Sequence, residues 1–179
     1  MYQKETLMRQ SSIYSKIVDN YKLLNKQLSE TIEKLKKTEA CSVSNVKAWH
    51  TDYYVHRRTR EFDSLIDICF DFLNEINMKE YGFRKANHVK YDCLNVWVAT
   101  YKKGDYTIKH NHYPFVWSFV YYVDVDPDQS PIVFEDNKIV YPEPGELLMF
   151  DATMYHDVPP VTNPRTVVAL NFITLPPSS

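Results

Sequence analysis

Cysteine is scarce in this sequence, and a long hydrophobic run is absent. The chain has 179 residues and three cysteines, Cys41, Cys69 and Cys93, an odd and sparse set that excludes a disulfide framework and favours a reducing compartment. No run approaches the roughly 18 apolar residues that a membrane-spanning helix needs. The N-terminal residues are polar, unlike the apolar centre of a signal peptide. We therefore expect a cytoplasmic protein without a membrane span.

An excess of basic charge is absent too. Lys and Arg number 21 against 23 Asp and Glu, which gives a formal net charge of −2. That balance weighs against a nucleic-acid-binding protein that relies on a strong basic field. Charged residues make up 25% and hydrophobic residues 44% of the chain, a composition typical of globular proteins. The sequence shows no internal repeat and no low-complexity tract, so its length favours one domain with an added helical segment.

The first 40 residues have the apolar spacing of one long helix. Seven residues recur at steps of three or four: Ile13, Ile17, Tyr21, Leu24, Leu28, Ile32 and Leu35. We expect this single stripe to pack against the chain's own domain. The alternative is a homo-oligomer formed through this helix, because the stripe is as narrow as a coiled-coil seam. A strand is predicted over residues 46–55, and a second helix after Thr59, which could cap it.

From about residue 93 onward, short β-rich segments alternate with turn residues. These segments cover 94–101, 107–112, 116–125, 132–134, 138–141, 147–150 and 166–175. Seven short strands at this spacing predict a sandwich or jelly roll rather than a parallel sheet. We therefore predict an α+β fold, a double-stranded β-helix (jelly-roll) core preceded by N-terminal helices. Residues 1–40 form the helical segment, and 41–179 form the jelly-roll domain with its supporting helix.

Three histidines lie at informative places in the β-rich half. His110 and His112 are two residues apart on a predicted strand, so both side chains point to the same face. His156 follows the strand at 147–150 and depends on the fold to bring it near. Three imidazoles bound to one metal ion leave coordination positions free for a co-substrate and oxygen, as in non-haem iron enzymes. A His-x-His pair alone is weak evidence, because surface strands carry histidines by chance.

Arg165 stands at the start of an apolar strand, after His156. An arginine that enters the core needs an anionic partner, or its charge is buried unpaired. A dicarboxylate co-substrate would supply one, held by the planar guanidinium fork. A structural salt bridge with Glu146 is the alternative. The residues by themselves leave both interpretations open.

Four stretches carry a resemblance to a known family. They read GDYTIKHNHYP at 104–114, WSFVYYV at 117–123, PGELLMF at 144–150, and HDVPP at 156–160 continuing to Arg165. In order and spacing they resemble the prolyl 4-hydroxylase-like branch of the 2-oxoglutarate- and iron(II)-dependent oxygenases, and within it small members from phages and marine bacteria. The resemblance spans residues 97–172. It implies an iron(II) cofactor, 2-oxoglutarate as co-substrate, hydroxylation with release of succinate and CO2, and the host cytoplasm if a phage encodes the chain.

The resemblance also implies roles for individual residues. His110 and His156 correspond to the first and last metal ligands. Arg165 corresponds to the basic residue that pairs with the far carboxylate of 2-oxoglutarate, and Tyr122 to a tyrosine that hydrogen-bonds the same carboxylate. Tyr101 corresponds to a tyrosine near the other end of the co-substrate.

Strand alternation adds two polar residues to these. If Tyr101 and Arg165 face inward, then Asn95 and Asn171 face inward as well and become candidates for cofactor binding. An aromatic wall could shield the site, and its members are Trp97, Tyr113, Phe115 and Trp117.

His112 departs from the family pattern, which has aspartate or glutamate at this position. An all-histidine site could keep iron, prefer zinc or nickel, or belong to a thiol dioxygenase that does not use 2-oxoglutarate. The other alternative is a non-catalytic, cupin-like metal-binding module. The substrate stays open, because peptidyl proline is implied by analogy alone.

Overall fold

The computed structural model describes residues 13–86, 89–126 and 131–175. Within these ranges it has two α-helices, α1 (Tyr21–Thr38) and α2 (Asp63–Ala86). In chain order the strands are β1 (Ile13–Ile17), β2 (Val46–Lys47), β3 (Trp49–His50), β4 (Lys90–Tyr101), β5 (Tyr106–His110), β6 (Trp117–Asp124), β7 (Ile132–Phe134), β8 (Ile139–Val140), β9 (Glu146–Asp151), β10 (His156–Val158) and β11 (Arg165–Leu175). In the part of the chain so described, no helix has the length and apolar character needed to cross a membrane.

The strands form two antiparallel sheets, an arrangement consistent with the predicted jelly roll. The larger sheet has the order β1-β9-β6-β11-β4-β3, and the smaller has the order β2-β5-β10-β7-β8. The long pair β4 and β11 lies inside the larger sheet, with Arg165 opposite Tyr101 and Asn171 opposite Asn95. A bulge follows Asn171. This register brings the polar residues of the two strands side by side.

Two apolar clusters hold the layers together. One lies between the helices and the outer face of the larger sheet, and it includes Leu28 of α1 and Leu65 of α2. The other lies between the two sheets. Strand β9 is buried along its whole length, with Leu147 in the first cluster and Leu148 in the second. A strand covered on both faces is expected to be continuously apolar, and β9 is so over residues 147–150, between Glu146 and Asp151 at its ends.

The predicted helix over residues 1–40 is wrong at 13–20. Residues 13–17 form β1, which pairs with β9 at the edge of the larger sheet. Asn20 then adopts a left-handed conformation (φ 55°), and α1 begins at Tyr21. The reason is tertiary, since the buried strand β9 needs a backbone partner on its open side. Residues 1–12 lie outside the described ranges.

The rest of the apolar stripe is buried within the chain. It consists of Tyr21, which is partly buried, and the buried residues Leu24, Leu28, Ile32 and Leu35 of α1. These side chains belong to the same cluster as residues of the larger sheet. The boundary at residue 40 and an oligomer formed through this helix stay predictions.

The second helix is confirmed, with a different start. A single 3-10 turn, Arg60–Phe62, precedes α2, and the Thr59 side chain makes no capping hydrogen bond. The strand predicted over 46–55 is instead two short strands and a 3-10 turn, Val55–Arg57. All seven strands predicted from residue 93 onward are confirmed, β7 with the predicted bounds and the other six with shifted ends, and β10 is an additional short strand.

Candidate metal centre and its two cavities

Three histidines meet at one edge of the smaller sheet. His110 ends β5 and His156 begins β10, and the two residues are directly paired across these strands. His112 lies beyond the end of β5, so the prediction that it shares a strand with His110 is wrong. The chain turns after His110, and the backbone N–H of His112 donates to the carbonyl of Ala152 (2.7 Å). One donor atom from each histidine lies within 4.8 Å of the other two.

Hydrogen bonds orient two of these rings. Nδ1 of His110 lies 2.8 Å from the carbonyl oxygen of Ile108, and Nδ1 of His156 lies 3.0 Å from that of Met154. A carbonyl can only accept, so each Nδ1 carries the proton and Nε2 keeps its lone pair. Such second contacts orient the histidines of metal sites. The His112 ring instead packs beside Trp97, with centroids 5.7 Å apart.

All three imidazoles are held in the neutral form. Burial lowers the pKa of His156 to about 3, with the nearby His110 adding to the effect. Burial also lowers the pKa of His112 well below its usual value, and the other two histidines reinforce that shift. The pKa of His110 is lowered by burial as well, although its bond to the Ile108 carbonyl opposes the change. Because a metal binds neutral imidazole, the cluster needs to lose no proton at neutral pH.

A small cavity of about 50 Å³ extends from the histidines between the two sheets. Its lining includes Arg165 and Tyr122, which are 4% and 0% exposed. The Arg165 guanidinium lies over the ring of Tyr101, 4.7 Å from the centroid. The Tyr101 hydroxyl shares a 2.7 Å hydrogen bond with Thr107. Tyr101 therefore lies against Arg165 and Thr107, and its place near the other end of the co-substrate stays a prediction.

The Tyr122 hydroxyl is buried and makes no hydrogen bond with the described part of the chain. Burial raises its pKa, so the group keeps its proton and can only be used as a neutral donor or acceptor. No carboxylate of the described residues lines this cavity. Glu146 accepts a hydrogen bond from the backbone N–H of Glu143 and also helps to raise the pKa of Tyr122, so its salt bridge with Arg165 stays an alternative. A buried guanidinium and a free hydroxyl beside it fit an anion with oxygen acceptors.

A second, open pocket of about 290 Å³ lies on the other side of His110 and His112. Its remaining lining is aromatic and amide-bearing: Tyr53, Trp97, Tyr113, Phe115, Asn45, Asn95, Asn111 and Asn171, with Val46. Asn95 and Asn171 thus face this outer pocket and do not line the cavity that contains Arg165. Trp117, the fourth residue of the expected aromatic wall, lies in the cluster beneath the helices.

Sequence reasoning missed Tyr53, Asn45 and Asn111. Tyr53 and Asn45 come from the irregular segment around β2 and β3, where no periodic pattern indicates which side chains face the site. Asn111 did carry a signal, since it stands between the two histidines.

Comparison with known proteins supports the fold. No family profile matches the sequence, and no curated protein sequence matches it. A Pseudomonas putida prolyl-4-hydroxylase superposes with a TM-score of 0.66 at 15% identity, covering 93% of this chain and 94% of that one. A viral collagen prolyl hydroxylase from Paramecium bursaria Chlorella virus-1, solved with 2-oxoglutarate, gives 0.63 at 17% identity, covering 89% and 95%.

A third solved structure is a Trichoplax adhaerens prolyl hydroxylase in complex with a hypoxia inducible factor peptide. It superposes with a TM-score of 0.61 at 18% identity and covers 89% of this chain and 83% of its own. At identities this low, a structural likeness establishes the architecture and leaves activity open. The chain therefore has the fold of the prolyl hydroxylases.

Proposed function

We propose that this protein is a 2-oxoglutarate- and iron(II)-dependent dioxygenase that hydroxylates a substrate and releases succinate and CO2. One observation carries the proposal. Three neutral imidazole donors converge within 4.8 Å at the mouth of a cavity whose lining includes the buried Arg165 and the free Tyr122 hydroxyl. The proposal includes membership of the branch found in phages and marine bacteria. Peptidyl proline is one candidate substrate, by analogy with the neighbouring structures.

The donor set fits iron(II). His110, His112 and His156 would hold the ion through their unprotonated nitrogens, and imidazole is a common ligand of iron. When bound, the metal supplies the oxygen-activating redox chemistry that amino-acid side chains lack. The chain's own contribution is to fix the ligands. Two of them are oriented by the carbonyls of Ile108 and Met154.

Arg165 and Tyr122 would bind the far carboxylate of 2-oxoglutarate. The guanidinium can pair with both carboxylate oxygens, and the Tyr122 hydroxyl can donate to one of them. A cavity of about 50 Å³ holds only about four water molecules, so it admits the slender end of the keto acid and leaves the other end toward the histidines. Anchoring one end in this way orients the reacting end, which is the main gain from positioning.

The proposal is tested with purified full-length protein, iron(II), ascorbate and 2-oxoglutarate. We expect release of succinate, and iron-dependent binding of 2-oxoglutarate measured calorimetrically without oxygen. Arg165→Ala should weaken that binding by about 100-fold or more while circular dichroism stays unchanged, because a bidentate, charged pair is lost. The matched control is Arg58→Ala, which removes a partly exposed arginine paired with Glu39 and Asp52. Equal binding by Arg165→Ala and the wild type would refute the anchor.

The all-histidine donor set favours one second candidate, a thiol dioxygenase that does not use 2-oxoglutarate. His112 supplies imidazole where the related oxygenases have a carboxylate, so the site carries one negative charge fewer. That enzyme would consume oxygen in the presence of a thiol and show no iron-dependent heat with the keto acid. A non-catalytic metal-binding module would bind iron and turn over neither compound.

A further inference from the structure

Two asparagines stand side by side in the wall of the outer pocket. Asn95 of β4 and Asn171 of β11 are directly opposite each other, and they are 7% and 3% exposed. Residues paired in this way have Cβ atoms about 5 Å apart, so their amide groups reach the same small area. Both line the pocket together with His110 and His112.

The hydrogen bonds of the two amides within the protein leave an unused donor on Asn171 beside an unused acceptor on Asn95. Ser118 donates its hydroxyl to Oδ1 of Asn171 (2.8 Å), which leaves the Asn171 Nδ2 group to donate. Nδ2 of Asn95 donates to the carbonyl of Leu94 (3.3 Å), which leaves the Asn95 Oδ1 atom to accept. Neither remaining group is bonded within the described part of the chain. Both residues line the open pocket, where a ligand or water can complete the two groups.

The other walls of the pocket are aromatic and carry no formal charge. The Trp97 indole is flanked by Tyr53, at 5.2 Å between centroids, and by His112, at 5.7 Å. Tyr113 and Phe115 complete the aromatic lining, and no lysine, arginine, aspartate or glutamate contributes to it. Flat aromatic surfaces suit a planar ring. Away from the histidines, a carboxylate or phosphate in this pocket would find no charged side chain to pair with.

We propose that the outer pocket binds an uncharged, planar cyclic amide, the group found in uracil and hypoxanthine. Asn171 donates to the ring carbonyl, and Asn95 accepts from the adjacent ring N–H. A ring amide presents both groups on one edge, whereas a trans peptide bond points its C=O and N–H in opposite directions, so two neighbouring amides cannot bind both groups of one peptide bond. The volume of about 290 Å³ is at the small end for ligand sites and suits one such ring.

That this ring is the substrate rests on the proposed function, because the pocket adjoins the histidine cluster. The binding itself is tested without turnover. Full-length protein is titrated with uracil and with hypoxanthine by ligand-observed NMR, and with 1,3-dimethyluracil, which keeps the ring and both carbonyls but has no N–H. We expect binding of at least one free cyclic amide, and binding of the dimethyl compound at least tenfold weaker.

Asn171→Asp is the sharpest variant, because its carboxylate still accepts from Ser118 but offers no N–H to the ligand. It should weaken cyclic-amide binding at least tenfold, and Asn95→Leu should do the same. The control is Asn74→Asp, which makes the same change at an exposed position on α2. The inference is overturned if no cyclic amide binds, if dimethyluracil binds as tightly as the free cyclic amides, or if Asn171→Asp binds them as the wild type does. It is also overturned if a proline-containing peptide binds more tightly than the cyclic amides and both variants weaken its binding to the same extent.

Binding of 2-oxoglutarate to the same variants separates the two proposals. Asn95 and Asn171 lie outside the cavity that contains Arg165. We expect both variants to bind the keto acid as the wild type does. Failure of cyclic-amide binding beside normal keto-acid binding would remove the pocket assignment and leave the oxygenase proposal standing.

Discussion

Tyr121 and Tyr122 are neighbours in β6, but only the Tyr121 hydroxyl has a hydrogen-bond partner among the described residues. The Tyr121 hydroxyl donates to Oδ1 of Asn25 at 2.6 Å. The Tyr122 hydroxyl is buried without a partner in the described residues. A buried hydroxyl without a hydrogen bond costs about 1–3 kcal/mol, so such a group is expected to serve a ligand. Replacing each tyrosine by phenylalanine therefore separates an effect on the stability of the protein from an effect on ligand binding.

Tyr122→Phe is expected to leave the ligand-free protein equally stable, or more stable by about 1 kcal/mol, because it removes an unsatisfied polar group. It should also weaken 2-oxoglutarate binding by roughly tenfold or more, since a hydrogen bond to a charged group is lost. Urea unfolding and calorimetry measure the two effects. Tyr121→Phe is the control, and it should lower stability by about 1 kcal/mol with normal binding. A loss of stability in Tyr122→Phe without a change in binding contradicts the assignment.

If His112 is a metal ligand, its imidazole should influence which metals the site prefers. Nickel and zinc suit imidazole, whereas carboxylate suits harder ions such as manganese. His112→Asp should therefore lower the ratio of nickel to manganese affinity at least tenfold, measured by competition titration. His112→Ala should weaken both metals together, because it only removes a ligand, and His56→Asn, outside the cluster, should change neither. If His112→Asp keeps the wild-type ratio, His112 is not a ligand.

At the scale of elements, the turn before β9 joins the larger sheet to α1. Gly145 donates its N–H to the carbonyl of Tyr122 and accepts from the N–H of Val18. Its φ is +79°, and a Cβ placed on it would collide with the ring of Tyr21 at the start of α1. Glycine is therefore needed at position 145 for two reasons: the backbone there is left-handed, and α1 approaches too closely to leave space for a side chain.

Gly145→Ala is expected to destabilise the protein by more than about 2 kcal/mol, because backbone strain and overpacking add. Gly104→Ala is the matched control. Gly104 also has a positive φ, +90°, but has no atom within 4 Å of its would-be Cβ, so strain alone applies and costs about 1–2 kcal/mol. Denaturant unfolding measures the difference. Equal losses in the two variants would mean that Tyr21 moves aside without cost.

At the scale of the whole molecule, the histidine cluster separates two spaces of different chemistry. The inner cavity is narrow and contains the buried guanidinium of Arg165. The outer pocket is wider, uncharged and aromatic. Trp97, Val46, His110 and His112 line both. This division suits a co-substrate on one side of a metal and a substrate on the other.

Occupation of the site should stabilise the whole fold, because His110 and His156 lie on different strands and come together only in the folded state. A ligand at 100 times its dissociation constant adds about 2.7 kcal/mol. For a domain of this size, that raises Tm by roughly 5–11 °C. Differential scanning fluorimetry with iron(II) and 2-oxoglutarate measures the shift, and a chelator should reverse it. With Arg165→Ala, the part of the shift due to the keto acid should vanish while the part due to iron remains.

The sequence by itself determined the class of the fold and named the three histidines that the structure brings together. Alternation along β11 and β4 is a local property of strands, so it correctly grouped Arg165 with Asn171, and Tyr101 with Asn95, on inward-facing positions. The strands from residue 93 onward were predicted from β-rich segments between turn residues, which is a local property as well. The apolar stripe of the first helix was also readable, although its first members belong to β1.

Only the tertiary structure decided which of these residues line the inner cavity and which line the outer pocket. The turn after His110, held by Ala152, brings His112 into the cluster from outside the strand. Pairing of β5 with β10 brings His156 to His110, and the open edge of β9 draws residues 13–17 out of the helix. These outcomes depend on contacts between residues far apart in the chain. Such contacts compete with the local preference of a segment for helix or strand, and they override it where a buried backbone group needs a hydrogen-bond partner.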